Sequence, residues 1–128
     1  MNLKKEIILT DLAPKPIGPY SQAVKSGGFL FCSGQVPLDP VSGAVVGATA
    51  EEQTKQVMKN CEAVLQAAGR AFRDVVKTTI FLKSMDDFPK VNEVYGAYFP
   101  DSPPARSTVE VARLPKNVLV EVELLAAL

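Results

Sequence analysis

Residues 75–83 read Val-Val-Lys-Thr-Thr-Ile-Phe-Leu-Lys. β-Branched and aromatic residues fill the run, and a period of two sets Val76, Thr78, Ile80 and Leu82 against Lys77, Thr79 and Phe81. This is a half-buried strand, and the sequence predicts a helix on either side of it. Upstream, Thr49 precedes Glu52 by three positions, the spacing of a capping box, and Val57, Cys61, Val64, Leu65 and Ala68 then recur at helical intervals as far as Gly69. Downstream, Ser84 and Asp87 repeat the cap signal, and Pro89 fits only a first turn. Phe88, Val91, Tyr95, Tyr98 and Phe99 then form one apolar stripe, which Pro100 ends.

The flanks read as strands. Residues 6–10 open with a short apolar run that stops before the turn-forming cluster Pro14, Pro16, Gly18 and Pro19. Residues 21–26 and 29–33 enclose Gly27-Gly28, a tight hairpin signal, and Pro37, Asp39, Pro40 and Gly43 mark the next loop. Residues 105–111 and 118–126 surround Leu114-Pro115-Lys116-Asn117, so a second hairpin is expected at the C-terminus. The order β-β-β-α-β-α-β-β defines an α+β class, a single sheet with both helices on one face, and residues 1–128 are read as one domain. Phe81, Val109 and the alternating residues of 118–124 make the other face too apolar for water. Self-association into a closed homo-oligomer is expected to cover it.

Composition narrows the function. Fourteen Lys and Arg balance fourteen Asp and Glu, so no global field draws in a phosphate backbone or an anionic membrane, and neither nucleic acid nor membrane is expected as a partner. No apolar stretch approaches the roughly 20 residues of a membrane span, and the first ten residues hold no signal-peptide core. A cytoplasmic protein is expected, although a cleaved organellar leader would leave no trace. Cys32 and Cys61 do not form a CxxC and read as buried free thiols. The chain has no histidine, which removes imidazole bases and most zinc constellations and leaves carboxylates, hydroxyls, Arg, Lys and backbone for any chemistry.

Among these, Arg106 follows Pro103-Pro104-Ala105 at the start of a strand, where a permanently charged guanidinium has a fixed approach. It suits a carboxylate ligand, or an ion pair with a nearby Asp or Glu. Alternation puts Glu121 and Glu123 on one side, opposite the valines of Val118-Leu119-Val120-Glu121-Val122-Glu123-Leu124. Glu121 is a candidate catalytic carboxylate, or an exposed or ion-paired strand residue. Residues 18–23, Gly-Pro-Tyr-Ser-Gln-Ala, and 33–35, Ser-Gly-Gln, bring hydroxyls and a residue without a Cβ beside loops. That composition fits a small polar ligand and also ordinary turn chemistry. Asn92, among apolar helix neighbours, is a surface residue or a polar group tying down a loop.

Together, GPYSQA at 18–23, SGQ at 33–35, NEVYGAYF at 92–99, PARSTVEVARLP at 104–115 and VEVE at 120–123 resemble the RidA (YjgF) family over nearly the full chain. The resemblance implies a chorismate-mutase-like fold and a homotrimer with ligand clefts between subunits. It also implies cofactor-free hydrolysis of enamines such as 2-aminoacrylate, and of their imine tautomers, to 2-keto acids and ammonia, a metabolite damage-control role. By the same resemblance Arg106 binds the substrate carboxylate and Glu121 positions and polarises the attacking water. Tyr20 and Ser33 supply hydroxyls, Gly34 allows close backbone approach, and Asn92 shapes the cleft. Many relatives carry cysteine two residues after the arginine; here it is Thr108, which leaves backbone contacts with substrate but no thiol chemistry. The competing readings are a keto-acid-binding regulatory trimer without turnover and, less well matched to zero net charge, an endoribonuclease or translation inhibitor.

Overall fold

The computed structural model describes residues 4–128. Strand β1 (Glu6–Ile8) pairs antiparallel with β2 (Ala23–Ser26), which turns into β3 (Phe29–Gln35). Gly27 and Gly28 sit at φ +61° and +86°, the left-handed pair that lets a two-residue turn follow the twist of its strands.

Helix α1 (Ala50–Ala67) starts where the Thr49 hydroxyl accepts the Glu52 backbone N–H at 3.2 Å. The return half of the expected capping box is displaced by one residue: the Glu52 carboxylate accepts from Ala48 N at 3.3 Å rather than from Thr49. Val57, Met58, Cys61, Val64 and Leu65 bury one stripe of α1, at roughly 1.5–3 kcal/mol for each large side chain removed from water.

Strand β4 (Val75–Leu82), helix α2 (Phe88–Gly96) and strand β5 (Ala105–Glu110) form a crossover unit in which β5 lies parallel to β4. Strand β6 (Val120–Ala127) then enters the middle of the sheet, whose order is β1-β2-β3-β6-β4-β5. The expected C-terminal hairpin is therefore corrected: β6 pairs with β3 and β4, and β4 separates it from β5. The burial of each strand gives the reason. Val120, Val122, Leu124 and Ala126 are all buried, which suits a strand flanked on both edges, whereas no residue of β5 is buried and its run tolerates an edge. Leu114–Asn117 is thus the end of a long return, with Lys116 and Asn117 both at φ 55°.

Two faces follow from this register. Ile80, Leu82 and Thr78 point into the core as expected, but Val75 takes the buried place assigned to Val76, which is exposed. A register shift between Val75 and Lys77 inverts the alternation there. Both helices cover this side: α1 packs on β3 and β6, and Tyr95 of α2 hydrogen-bonds Thr78 of β4. The valines of β6 point to this core, a second correction, so the open side owes its apolar character to other residues. There a row runs across all six strands through Ile7, Val24, Phe31, Leu125, Lys77 and Ala105. Phe81 and Val109 lie on the open side as expected, and Glu121, opposite the valines, joins them there. Cys32 and Cys61 are free thiols as expected, but only Cys61 is buried and Cys32 is half-buried; burial still pushes the Cys32 thiol up to about 12.

Candidate functional site

Arg106 stands on the edge strand β5 in register with Thr78, so it faces the helices. Its Nη1 donates to Asn92 Oδ1 at 2.7 Å. The guanidinium carbon lies 5.3 Å from the Phe88 ring centre and 5.1 Å from that of Tyr95. Phe88, Asn92 and Tyr95 are spaced four and three residues apart, hence on one stripe of α2. The Tyr95 hydroxyl is tied to Thr78 Oγ1 at 2.7 Å. Burial raises the Tyr95 pKa, and the Thr78 hydrogen bond and the Arg106 charge oppose that rise.

The ion-pair alternative for Arg106 is not realised. Among the described residues the salt bridge present is Lys25 to Glu6 at 3.6 Å, and no carboxylate meets Arg106. An uncompensated, partly buried guanidinium is matched in geometry to an incoming carboxylate. Two residues further on, Thr108 points to the same side, and its Oγ1 is buried without a hydrogen-bond partner among the described residues.

Glu121 is found on the other side of the sheet, where it pairs in register with Phe81. It opens into a pocket of about 360 Å³ that also draws on Tyr20, Ser33 and Gly34, with Ile17, Leu38 and Pro115 as apolar walls and Lys15 and Lys116 beside them. Gly34 leaves room for the Glu121 carboxylate: a Cβ there would come within 2.0 Å of Glu121 Oε2. Tyr20 is exposed at the pocket, whereas the Ser33 hydroxyl is already committed as a donor to the Ser21 carbonyl. Burial, and after it the neighbouring Glu123, holds the Glu121 carboxyl above its ordinary range.

The predicted residues therefore fall into two groups. Arg106, Asn92 and Thr108 gather on the helix side; Glu121, Gly34, Ser33 and Tyr20 gather on the open side. One chain does not bring the two together.

Sequence reading gave no role to the amides that hold the pocket's loops. Gln22 accepts from Thr10 N at 2.7 Å and donates to the carbonyls of Thr10, Ala13 and Pro14. Asn60 donates to the carbonyls of Val36 and Leu38, and Gln53 bridges Gly47 O and Leu119 N. The available signal was a polar residue inside an apolar run, as with Asn60 beside Cys61. Phe88 and Tyr95 were read as core alone.

A single sheet backed by two helices, with an unpaired guanidinium on one face and a carboxylate-floored pocket on the other, defines an α+β domain. The family model described as Endoribonuclease L-PSP matches residues 10–128, and the chain belongs to that family, the RidA (YjgF) family. It is 57% identical over 122 residues to a RutC family protein of Pyrococcus horikoshii, covering 95% of this chain and 97% of the other. It is 47% identical over 127 residues to the chloroplastic Reactive Intermediate Deaminase A of Arabidopsis thaliana, covering 99% of this chain and 68% of that protein. The crystal structure of E. coli TdcF with bound serine superposes with a TM-score of 0.91 at 40% identity, covering 96% of this chain and 98% of that one. Among the described residues no helix is long and apolar enough to cross a membrane.

Proposed function

We propose that the chain hydrolyses small 2-imino acids, and the enamines that tautomerise to them, to 2-keto acids and ammonia. The observation that carries this reading is Arg106, a guanidinium seated on two rings and hydrogen-bonded to Asn92 with no carboxylate of its own. Its remaining N–H groups take the substrate carboxylate in a two-pronged pair, which fixes where the adjacent imine carbon lies. Glu121, supplied by a second copy whose open sheet face packs against the first, accepts a proton from water as the C–O bond forms and the C=N π pair moves to nitrogen. The same group passes that proton to nitrogen to give the carbinolamine, then takes the hydroxyl proton and delivers it to nitrogen as the C–O pair forms the carbonyl, the C–N bond breaks and ammonia leaves. A carboxyl with a raised pKa suits this two-way proton traffic. Tyr20 adds a hydroxyl at the pocket, Thr108 a neighbouring backbone and a free Oγ1, and Gly34 the space that Glu121 needs. No step calls for a cofactor. The apolar open face supports the assembly, a homotrimer by family resemblance. Two relatives support the chemistry: the Arabidopsis protein is named a reactive intermediate deaminase, and TdcF holds serine, a small amino acid.

The test couples a serine or threonine dehydratase to this protein and follows keto-acid release. The wild type is expected to accelerate release over spontaneous hydrolysis. Arg106→Ala is expected to stay folded and assembled and to lose acceleration by about a hundredfold or more, the usual consequence of removing a charged partner from a buried pair. No acceleration by the wild type, with keto acids still bound, would replace turnover by binding alone.

A further inference from the structure

The stripe Phe88, Asn92 and Tyr95 does more than line α2. Tyr95 is 4% exposed and Thr78 1%, so the hydrogen bond between them is buried and fixes the ring from the sheet side. Phe99 packs on Tyr95 with ring centres 4.8 Å apart, and Phe72 meets Phe99 at 5.4 Å, so the ring is braced from the helix side as well. Against this braced surface the guanidinium rests on two rings and spends one Nη on Asn92. A free arginine gives up side-chain freedom when it binds; here that loss, and part of the dehydration, are met before any ligand arrives.

We propose that Phe88 and Tyr95 are positioning residues for Arg106: they hold its guanidinium flat and partly dehydrated, so that the chain's affinity for a carboxylate depends on two aromatic rings that never touch the substrate. This rests on the reading of Arg106 as the carboxylate site. The contact with the rings is the same before and after the imine reacts, since the carboxylate takes no part in the bond changes. Loss of a ring therefore weakens substrate and transition state alike, which raises KM and spares kcat. The guanidinium asks for a ring face, so an aromatic replacement at Phe88 restores what an aliphatic one removes, whereas at Tyr95 the hydroxyl also holds the ring through Thr78.

Phe88→Leu, Phe88→Tyr, Tyr95→Leu and Tyr95→Phe are compared with the wild type by calorimetric titration of pyruvate and by steady-state imine hydrolysis. Each leucine variant is expected to weaken pyruvate binding about tenfold and to raise KM by a like factor, with kcat within about twofold. Phe88→Tyr is expected to bind within about twofold of the wild type, and Tyr95→Phe, which keeps the ring face but gives up the Thr78 hydrogen bond, to fall between the wild type and Tyr95→Leu. Tyr95 is a core residue, so Phe88→Leu, on a partly exposed ring, decides the matter if Tyr95→Leu does not fold. Relaxation of the Arg106 Nε–H group in ligand-free protein gives a readout independent of turnover, and its order is expected to fall in the leucine variants. Unchanged affinity in Phe88→Leu, or a kcat that falls as far as kcat/KM, overturns the proposal. A wild type that neither binds pyruvate nor hydrolyses imines overturns the deaminase reading instead, and the Nε–H order then decides the clamp by itself.

Discussion

Replacing Gly34 by alanine tests the open-face half of the site without touching an ionisable group. Gly34 lies in β3 at an ordinary φ, so alanine adds no backbone strain. Its new Cβ would come to 2.0 Å from Glu121 Oε2 and 2.9 Å from Cδ. Ordinary contact begins near 3.4 Å, so the carboxylate must retreat by about 1.4 Å. That carboxylate ends a flexible side chain, and an off-rotamer displacement costs about 0.5–1.5 kcal/mol. Stiffening the unfolded chain by alanine returns about 0.4–1 kcal/mol, so net stability should move by no more than about 1 kcal/mol. Catalysis is less forgiving, because a misplacement of this size costs on the order of a hundredfold, about 2.7 kcal/mol of barrier. Keto-acid affinity, set on the opposite face of the sheet at Arg106, should hold within about twofold. The assay pairs kcat from keto-acid release with pyruvate titration and a thermal melt on the same sample. A folded Gly34→Ala chain with wild-type kcat would remove Glu121 from the reacting water.

Glu121→Gln is expected to lower kcat far more than it weakens pyruvate binding, as steady-state kinetics set against calorimetry will show. Burial, then Glu123, raises the Glu121 pKa from 4.5, so the folded chain holds this proton more tightly than the unfolded one. Its contribution to stability is full below about pH 4.5 and is lost as pH rises through the raised value; urea midpoints between about pH 4 and 8 should show that loss in the wild type and not in Glu121→Gln. Phe31→Glu puts a charge in the centre of the open row and should yield a monomer by sedimentation. Retained assembly would mean that another surface joins the copies.

Much of the fold was legible because local chemistry and tertiary demand agree at Gly27-Gly28, along α1 and through most of β4. The failures have one cause: pairing partners are not written in a strand's own residues. Leu114-Pro115-Lys116-Asn117 has the composition of a hairpin turn, yet β5 is held by β4 through the α2 crossover, and β6 must travel past it to the gap beside β3. A one-residue register shift at Val75–Lys77 was equally invisible and moved Val76 from core to surface. The site showed the same division. Arg106 and Glu121 stood out as charges with restricted settings, but which face each occupies depends on the register with β4. Phe88 and Tyr95 hid inside an ordinary apolar helical stripe, because a ring that packs and a ring that stacks a cation look alike in sequence.

Arg106 and Glu121 face away from each other across one sheet, and this gives the molecule a genetics of its own. A chain lacking the guanidinium still carries a sound carboxylate, and a chain lacking the carboxylate still carries a sound guanidinium. Two dead proteins, unfolded together and allowed to reassemble at equal concentration, should regenerate about a quarter of the wild-type centres, since each working centre needs one intact half from each of two neighbours. Mixed without reassembly, they should stay dead. A pair of loss-of-function alleles in one cell would then partly rescue each other by sharing a centre, a route closed to an enzyme with its whole machinery inside a single chain.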